Sequence, residues 1–152
     1  MNNLPTKKVT TPNLKRLLSK LYQFQVDGES YDVVSISDCI EEIFKELNTE
    51  DIGDLIADAV HDKLITQAQG EAFLNVSVWS GCTNGGHLQI AIEKWLEQAN
   101  DPVRIQLALA QGAFPFRSLE TMAEKLLLIE DHYPQFSVKI NEIIQSRQAQ
   151  GV

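Results

Sequence analysis

The stretch SDCIEEIFKELNTEDIGDLIADAVHDKL, residues 37–64, decides the fold because it contains two helical patterns in succession. Its apolar residues recur every three or four positions, which is the spacing of one face of an α-helix. The first set is Cys39, Ile40, Ile43, Phe44 and Leu47, and the second is Ile52, Leu55, Ile56, Ala59, Val60 and Leu64. Ser37 and Thr49 precede the two sets, and we expect each to cap the helix that follows. The stretch therefore predicts two amphipathic helices joined by a short turn.

The same spacing continues on both sides of this stretch. Thr11-Pro12 has the pattern of an N-cap followed by proline at the first helical position, and Tyr31–Ile36 is expected to be an extended lead-in to the next helix. Further helices are predicted to begin near Thr66, His87, Pro102, Ser118 and Pro134. The chain is thus predicted to be all-α, a single compact domain over residues 1–152 with about eight helices in successive helical hairpins, a solenoid-like stack being an open alternative. Residues 1–11 and 146–152 are expected to fray.

Composition narrows the classes of function. The chain has 152 residues, of which 43% are hydrophobic and 22% charged, so it can bury a core. Its net charge of −8 disfavours general nucleic-acid binding, which requires cations that displace phosphate counterions. No apolar run approaches the roughly 20 residues of a membrane span, and the first eight residues lack the apolar segment of a signal peptide. Two cysteines, Cys39 and Cys82, make no disulfide framework, which favours the reducing cytoplasm.

Charge is distributed unevenly along the chain. Residues 1–26 contain five basic residues and no acid, whereas residues 27–62 contain twelve acids opposed by Lys45 alone, a charge of −11. On both predicted helices these acids lie three and four positions apart, opposite the apolar residues. Like charges at this spacing cost a helix roughly 0.2–0.5 kcal/mol per pair, and a surface selected for stability alone would include lysines. We therefore predict a docking surface for a cationic protein partner. It comprises Asp32, Asp38, Glu41, Glu42, Glu46, Asp51, Asp54, Asp58 and Asp62, with Tyr31 as an aromatic anchor.

Several alternatives remain open at this point. The acids could bind nothing, because acids favour the first turn of a helix or because Lys15, Arg16 and Lys20 neutralise them. A set of metal ligands could form from Asp54, Asp58, His61 and Asp62, but no Glu-x-x-His pair supports a carboxylate-bridged metal centre.

An enzyme could use Cys82 as a nucleophile, since it precedes a predicted helix that contains His87. The alternative is that residues around Cys82 are a plain turn between helices. We predict no catalytic residue, metal or cofactor.

A small acidic all-helical chain of this kind resembles the immunity proteins of bacterial toxin systems, including the contact-dependent growth inhibition type. The resemblance rests on size, helical content and the acidic segment Asp27–Asp62. It implies a cytoplasmic protein that binds a cognate toxin domain with a basic surface, often a nuclease, and occludes its active groove, with no direct contact to nucleic acid or membrane. The alternative is a helical adaptor or structural interaction module without inhibitory role, which would use Phe114-Pro115-Phe116 or a solenoid groove.

Overall fold

The structure, a computed structural model, describes residues 11–27, 32–49, 51–78 and 85–152. These residues form eight α-helices and one 3₁₀ turn, and no strand occurs among them. The helices are α1 (Pro12–Asp27), α2 (Val33–Leu47), α3 (Gly53–His61), α4 (Gln67–Ser77), α5 (Gly86–Gln98), α6 (Pro102–Leu109), α7 (Leu119–His132) and α8 (Ser137–Gln150), and the 3₁₀ turn is Pro134–Phe136. The all-α prediction is confirmed.

The chain divides into two compact units, residues 1–88 and residues 89–152. In the first unit α1 packs against both α2 and α4, and α3 packs against α4. In the second unit α7 packs against α8 and the 3₁₀ turn, and α6 contacts α8. A single domain over residues 1–152 stays a prediction.

The α1–α2 hairpin forms through two leucine-rich and isoleucine-rich stripes. Four leucines of α1 are buried at helical spacing, and five residues are buried on α2, which packs against α1. These are Leu14, Leu17, Leu18 and Leu21 on α1, and Ile36, Cys39, Ile40, Ile43 and Leu47 on α2. The Cys39 thiol donates to the Leu17 carbonyl oxygen at 3.4 Å, and Asn13 contacts Glu46. Since the contact partners advance along α1 while they recede along α2, the two helices are antiparallel.

Four of the predicted helix starts are capped as expected. The Thr11 hydroxyl accepts from the Leu14 amide at 3.2 Å, and the Ser118 hydroxyl accepts from the Thr121 amide at 3.1 Å. Asp101 caps α6 ahead of Pro102, while Thr66 and Gln69 form a reciprocal capping box at α4. Each cap satisfies amides that the helix itself leaves without an acceptor.

Two predicted helix starts are wrong. Asp32, not Ser37, caps α2, because its carboxylate accepts from the Val34 amide at 3.0 Å. Residues 33–36 are therefore helical rather than extended, and this brings Ile36 onto the buried face of α2. Thr49 does not cap α3: its hydroxyl accepts from the Asp51 amide in a local turn, and α3 begins only at Gly53.

The end of the chain also differs from expectation. Residues 146–150 belong to α8 instead of fraying, and Gly151 ends the helix in the left-handed conformation. Burial of Arg147, which is only 5% exposed, fixes this last turn to the rest of the second unit. Of residues 1–11, which are also predicted to fray, Thr11 is ordered as the cap of α1, and the other ten lie outside the described residues.

Candidate functional site

The exposed face of α2 is the part of the predicted docking surface that the structure defines most clearly. Asp38, Glu41 and Glu42 are all exposed, whereas the residues between them point into the α1–α2 contact. The 3.6-residue period places Val34, Asp38, Glu41 and Lys45 along the line opposite the buried stripe, with Glu42 at its edge. We call this set of five residues the α2 face. The carboxylates of Asp38 and Glu41, about one turn apart, lie near its centre.

Two further members of the predicted surface have partners within the fold. Asp32 is exposed, but its carboxylate is engaged as the cap of α2. Glu46 is partly buried and its Oε1 accepts from the Asn13 side chain at 2.9 Å. Asn13 in turn accepts from Arg16 at 3.0 Å, so a polar link runs from α1 to α2. Glu46 therefore helps to hold the hairpin together and Asp32 stabilises the start of α2, in addition to contributing charge.

A shallow open groove lies along this link. It has a volume of about 320 Å³ and is lined by Asn13, Glu42, Lys45 and Glu46. Both signs of charge line the groove, so it suits a polar side chain of a partner better than an apolar one.

The cations of α1 do not form ion pairs with the α2 acids. Lys15, Arg16 and Lys20 are exposed; Arg16 bonds to Asn13, and the Lys20 ammonium lies 5.5 Å from the Phe24 ring centre. Within residues 11–27 and 32–49 no salt bridge joins the two helices. The carboxylates of the α2 face therefore stay accessible to an external cation.

The second group of predicted acids belongs to α3 and its ends. Asp54 and Asp58 are exposed one turn apart on the helix, while Asp51 precedes it and Asp62 caps its C-terminus. An acid at the C-terminal end opposes the helix dipole, so Asp62 carries a small cost in stability. All four carboxylates lie at the surface, as predicted.

The two acidic groups lie on α2 and α3, and no extensive packing joins these two helices among the described elements. Among the described elements, the extensive packing of α2 is with α1 and that of α3 is with α4. The sequence order α2–α3 suggests a hairpin, but α1 and α4 are the helices that pack together between them. The candidate site is therefore two acidic surfaces on the first unit, each on its own helix. Tyr31, the predicted anchor, lies outside the described residues.

The segment Phe114-Pro115-Phe116 is not an exposed aromatic motif. Pro115 and Phe116 are buried, and Phe114 is partly buried below the Arg147 guanidinium, 5.5 Å from its ring centre. The Phe116 amide donates to a Glu93 carboxylate oxygen at 3.0 Å. These contacts make the segment part of the second unit's core, so the adaptor hypothesis loses one of its two predicted sites, while the solenoid groove stays a prediction.

The other chemical candidates gain no support. Within the described residues no three His, Cys, Asp or Glu side chains converge to hold a metal ion. His87 is exposed in the first turn of α5, and Cys82 lies outside the described residues, so their pairing stays a hypothesis. None of the described helices is both long enough and apolar enough to traverse a bilayer.

Sequence reasoning missed three exposed valines at one end of the α1–α2 hairpin. Val26 is 59% exposed near the end of α1, and Val33 and Val34 are 74% and 62% exposed at the start of α2. Their shared position follows from the antiparallel arrangement of the two helices. The Val-Val pair before Ile36 is the sequence signal for these exposed valines. The prediction of an extended segment at Tyr31–Ile36 does not place the pair on a helix surface.

Comparisons of the chain with protein-family models, with curated proteins and with solved structures found no match.

Proposed function

We propose that the protein is an inhibitor of the immunity type, which binds a cationic toxin domain and blocks its active groove. The carrying observation is the α2 face, whose Asp38, Glu41 and Glu42 carboxylates are exposed and make no salt bridge with the described cations of α1. A toxin nuclease must present a positive groove to its nucleic acid. An acidic helical surface matches such a groove in charge.

Inhibition on this proposal is steric and electrostatic. The net charge of −8 and its concentration in residues 27–62 speed encounter with a cationic partner, in favourable cases to about 10⁸ M⁻¹s⁻¹ at low salt. Once docked, a helix face excludes the nucleic acid from the groove. The inhibitor is proposed to act in the cytoplasm. Because it works by occlusion, it needs no catalytic group of its own.

The test is capture followed by an activity assay. The tagged chain is used to isolate its partner from the cells that encode it, and the purified partner is assayed for nuclease activity with increasing amounts of the chain. We expect a basic toxin domain whose activity falls to background near equimolar ratio. A captured partner that is acidic, or whose activity is unchanged, would falsify the proposal.

Two matched variants distinguish the effect of the α2 face on inhibition from the effect of the net charge of the chain. Asp38→Asn with Glu41→Gln and Glu42→Gln removes three charges from the α2 face. Glu124→Gln with Asp131→Asn and Glu142→Gln removes three exposed charges from the second unit. We expect the first variant to lose inhibition by about tenfold or more and the second to retain it.

A helical interaction module without inhibitory role is the second candidate. It uses the same exposed face, and it differs only in the outcome of the activity assay, since it would bind its partner and leave the partner's activity intact.

A further inference from the structure

The exposed valines at the end of the α1–α2 hairpin continue the acidic α2 face. Val34 lies one turn before Asp38 and on the same line of the helix, opposite the buried stripe. Val33 precedes it in the first turn of α2, Val26 belongs to the end of α1 at the same end of the hairpin, and all three are more than half exposed. The surface thus changes along α2 from apolar to acidic.

The Asp32 cap gives this apolar end a defined geometry. Its carboxylate holds the Val34 amide at 3.0 Å, and the first turn of α2 is helical rather than frayed. The valines are consequently presented from a fixed backbone, and valine has few rotamers to lose on contact. Such residues contribute binding energy at low entropic cost.

We infer that the α2 face and the adjoining valines form one docking surface for a basic amphipathic segment of a partner protein. The segment places apolar side chains on Val33 and Val34 and basic side chains against Asp38, Glu41 and Glu42. The contacts of the segment span about 12 Å, the rise over the eight steps from Val34 to Glu42, and its basic groups occupy about 6 Å of that length, from Asp38 to Glu42. The inference deepens the proposed inhibitor function, on which it rests, by stating which kind of partner element is bound.

The negative charge of the α2 face favours a basic segment over two other occupants, a second copy of the chain and an anionic membrane surface. A second copy of the chain would bring a second acidic face against the first, and an anionic membrane surface would be repelled by the same carboxylates. Lys45, at the far end of the α2 face, also disfavours a uniformly basic strip, so the basic side chains must lie between the valines and Lys45. Because the surface changes from apolar to acidic along α2, the segment can bind in one orientation only, with its apolar side chains at the valine end.

The test uses defined peptides and the full chain, without any toxin. The first probe is a fluorescent helical peptide of about 18 residues, with leucines at one end of a face and lysines in its middle. The second probe has the leucines replaced by serine. Binding is measured by anisotropy at about 0.15 M ionic strength and over a salt series.

We expect the leucine peptide to bind at least about tenfold tighter than the serine peptide. The variant Val33→Ser with Val34→Ser should lose that advantage while it keeps the salt dependence. Val138→Ser, at a valine of the second unit that is 73% exposed, should bind both peptides as the original chain does. The charge variant at Asp38, Glu41 and Glu42 should lose the salt dependence.

Three results would overturn the inference: no measurable binding of the leucine peptide, equal binding of the two peptides, or a valine variant within twofold of the original chain. Self-association of the chain that the valine variant abolishes would assign the surface to a second copy instead. Failure of the nuclease assay, with the valine dependence intact, would refute only the inhibitor function. Success of that assay without valine dependence would refute only this inference.

Discussion

Arg147 is a buried cation that is held by main-chain oxygens. Its Nε donates to the Val152 carbonyl at 2.9 Å, and its Nη1 and Nη2 donate to those of Pro115 and Arg117 at 2.9 and 3.0 Å. The guanidinium also lies over the Phe114 ring. A charge so deeply buried is tolerated only when its donors are satisfied, so the residue fixes the segment 114–117 and the end of α8 together.

Replacement of Arg147 by alanine should lower the free energy of unfolding by about 3 kcal/mol, because three carbonyl groups lose their donor and a cavity opens. Urea denaturation followed by circular dichroism measures the effect. Arg117→Ala is the matched control, since only the main chain of Arg117 takes part and its side chain is exposed; it should change stability by less than about 0.5 kcal/mol. Equal losses in the two variants would contradict the assignment.

Gly85 allows the main chain to pass close to Val78. Its φ is +80°, and a Cβ built on it would collide with the Val78 carbonyl group. Gly151 also has a positive φ, of +69°, but nothing lies within 4 Å of its Cβ position. Gly85 is therefore required both for its positive φ and for the close approach of Val78, whereas Gly151 is required for its positive φ alone.

Gly85→Ala should cost at least about 2 kcal/mol of stability, because both the backbone conformation and the contact with Val78 become unfavourable. Gly151→Ala should cost only about 1 kcal/mol, which is the price of the left-handed conformation alone. Thermal and urea unfolding of both variants test the difference. A Gly85→Ala chain as stable as the Gly151→Ala chain would show that the close approach does not matter.

Burial raises the pKa of the Cys39 thiol above its usual value of 9.0, and Glu42 adds to the rise, while Lys20 and Arg16 oppose it. A raised pKa in the fold means that the neutral thiol is favoured there, so its contribution is complete below the usual pKa and is lost as pH rises through the raised value. We expect the free energy of unfolding to fall more steeply above about pH 9 in the original chain than in Cys39→Ala. Parallel slopes would contradict this.

At the scale of the elements, the capping box of α4 offers a direct test. The Thr66 hydroxyl accepts from the Gln69 amide at 3.1 Å, and the Gln69 side chain accepts from the Thr66 amide at 2.9 Å. Thr66→Ala should therefore cost about 1 kcal/mol, whereas Thr66→Ser keeps the acceptor and should cost a few tenths (about 0.3 kcal/mol). Urea midpoints of the two variants measure the cap; equal midpoints would show that it contributes nothing.

The sequence predicts the helices well where a cap and a periodic apolar face agree, as at Thr66 and Ser118. It fails at α2 because two capping residues, Asp32 and Ser37, are available, and the β-branched residues between them favour an extended segment. The burial of Ile36 on the inner face of α2 favours the longer helix, and local propensity cannot report that burial. The burial of Arg147 is equally invisible in the sequence, since two of its carbonyl acceptors, those of Pro115 and Arg117, lie 32 and 30 residues away.

At the scale of the whole molecule, charge segregation is readable from the sequence but its arrangement is not. Counting acids predicts correctly that Asp38, Glu41, Asp54 and Asp58 lie at the surface. It cannot reveal that α1 packs against α4 as well as against α2, because the α1–α4 contacts join helices far apart in the chain. Which acids act together is a property of packing order, and packing order depends on long-range contacts.

The field of the whole first unit leads to a kinetic prediction. Asp54→Lys with Asp58→Lys should lower the association rate with a cationic toxin several-fold at low salt, roughly fivefold or more, because long-range attraction scales with charge. Stopped-flow measurements over a salt series test this, and the difference should shrink as salt screens the charges. An association rate that does not respond to salt or to these substitutions would contradict electrostatic steering.

The division of α2 into a buried side and an exposed side determines which of its positions can change during evolution. Its inner side chains, from Ile36 to Leu47, hold the hairpin, while most of its outward side chains contribute little to that contact. Outward positions such as Asp38 and Glu41 can consequently be exchanged with little penalty to folding. Substitutions on the outer side of α2 can therefore alter the charge and shape that the helix presents, while the buried residues of the α1–α2 hairpin stay the same.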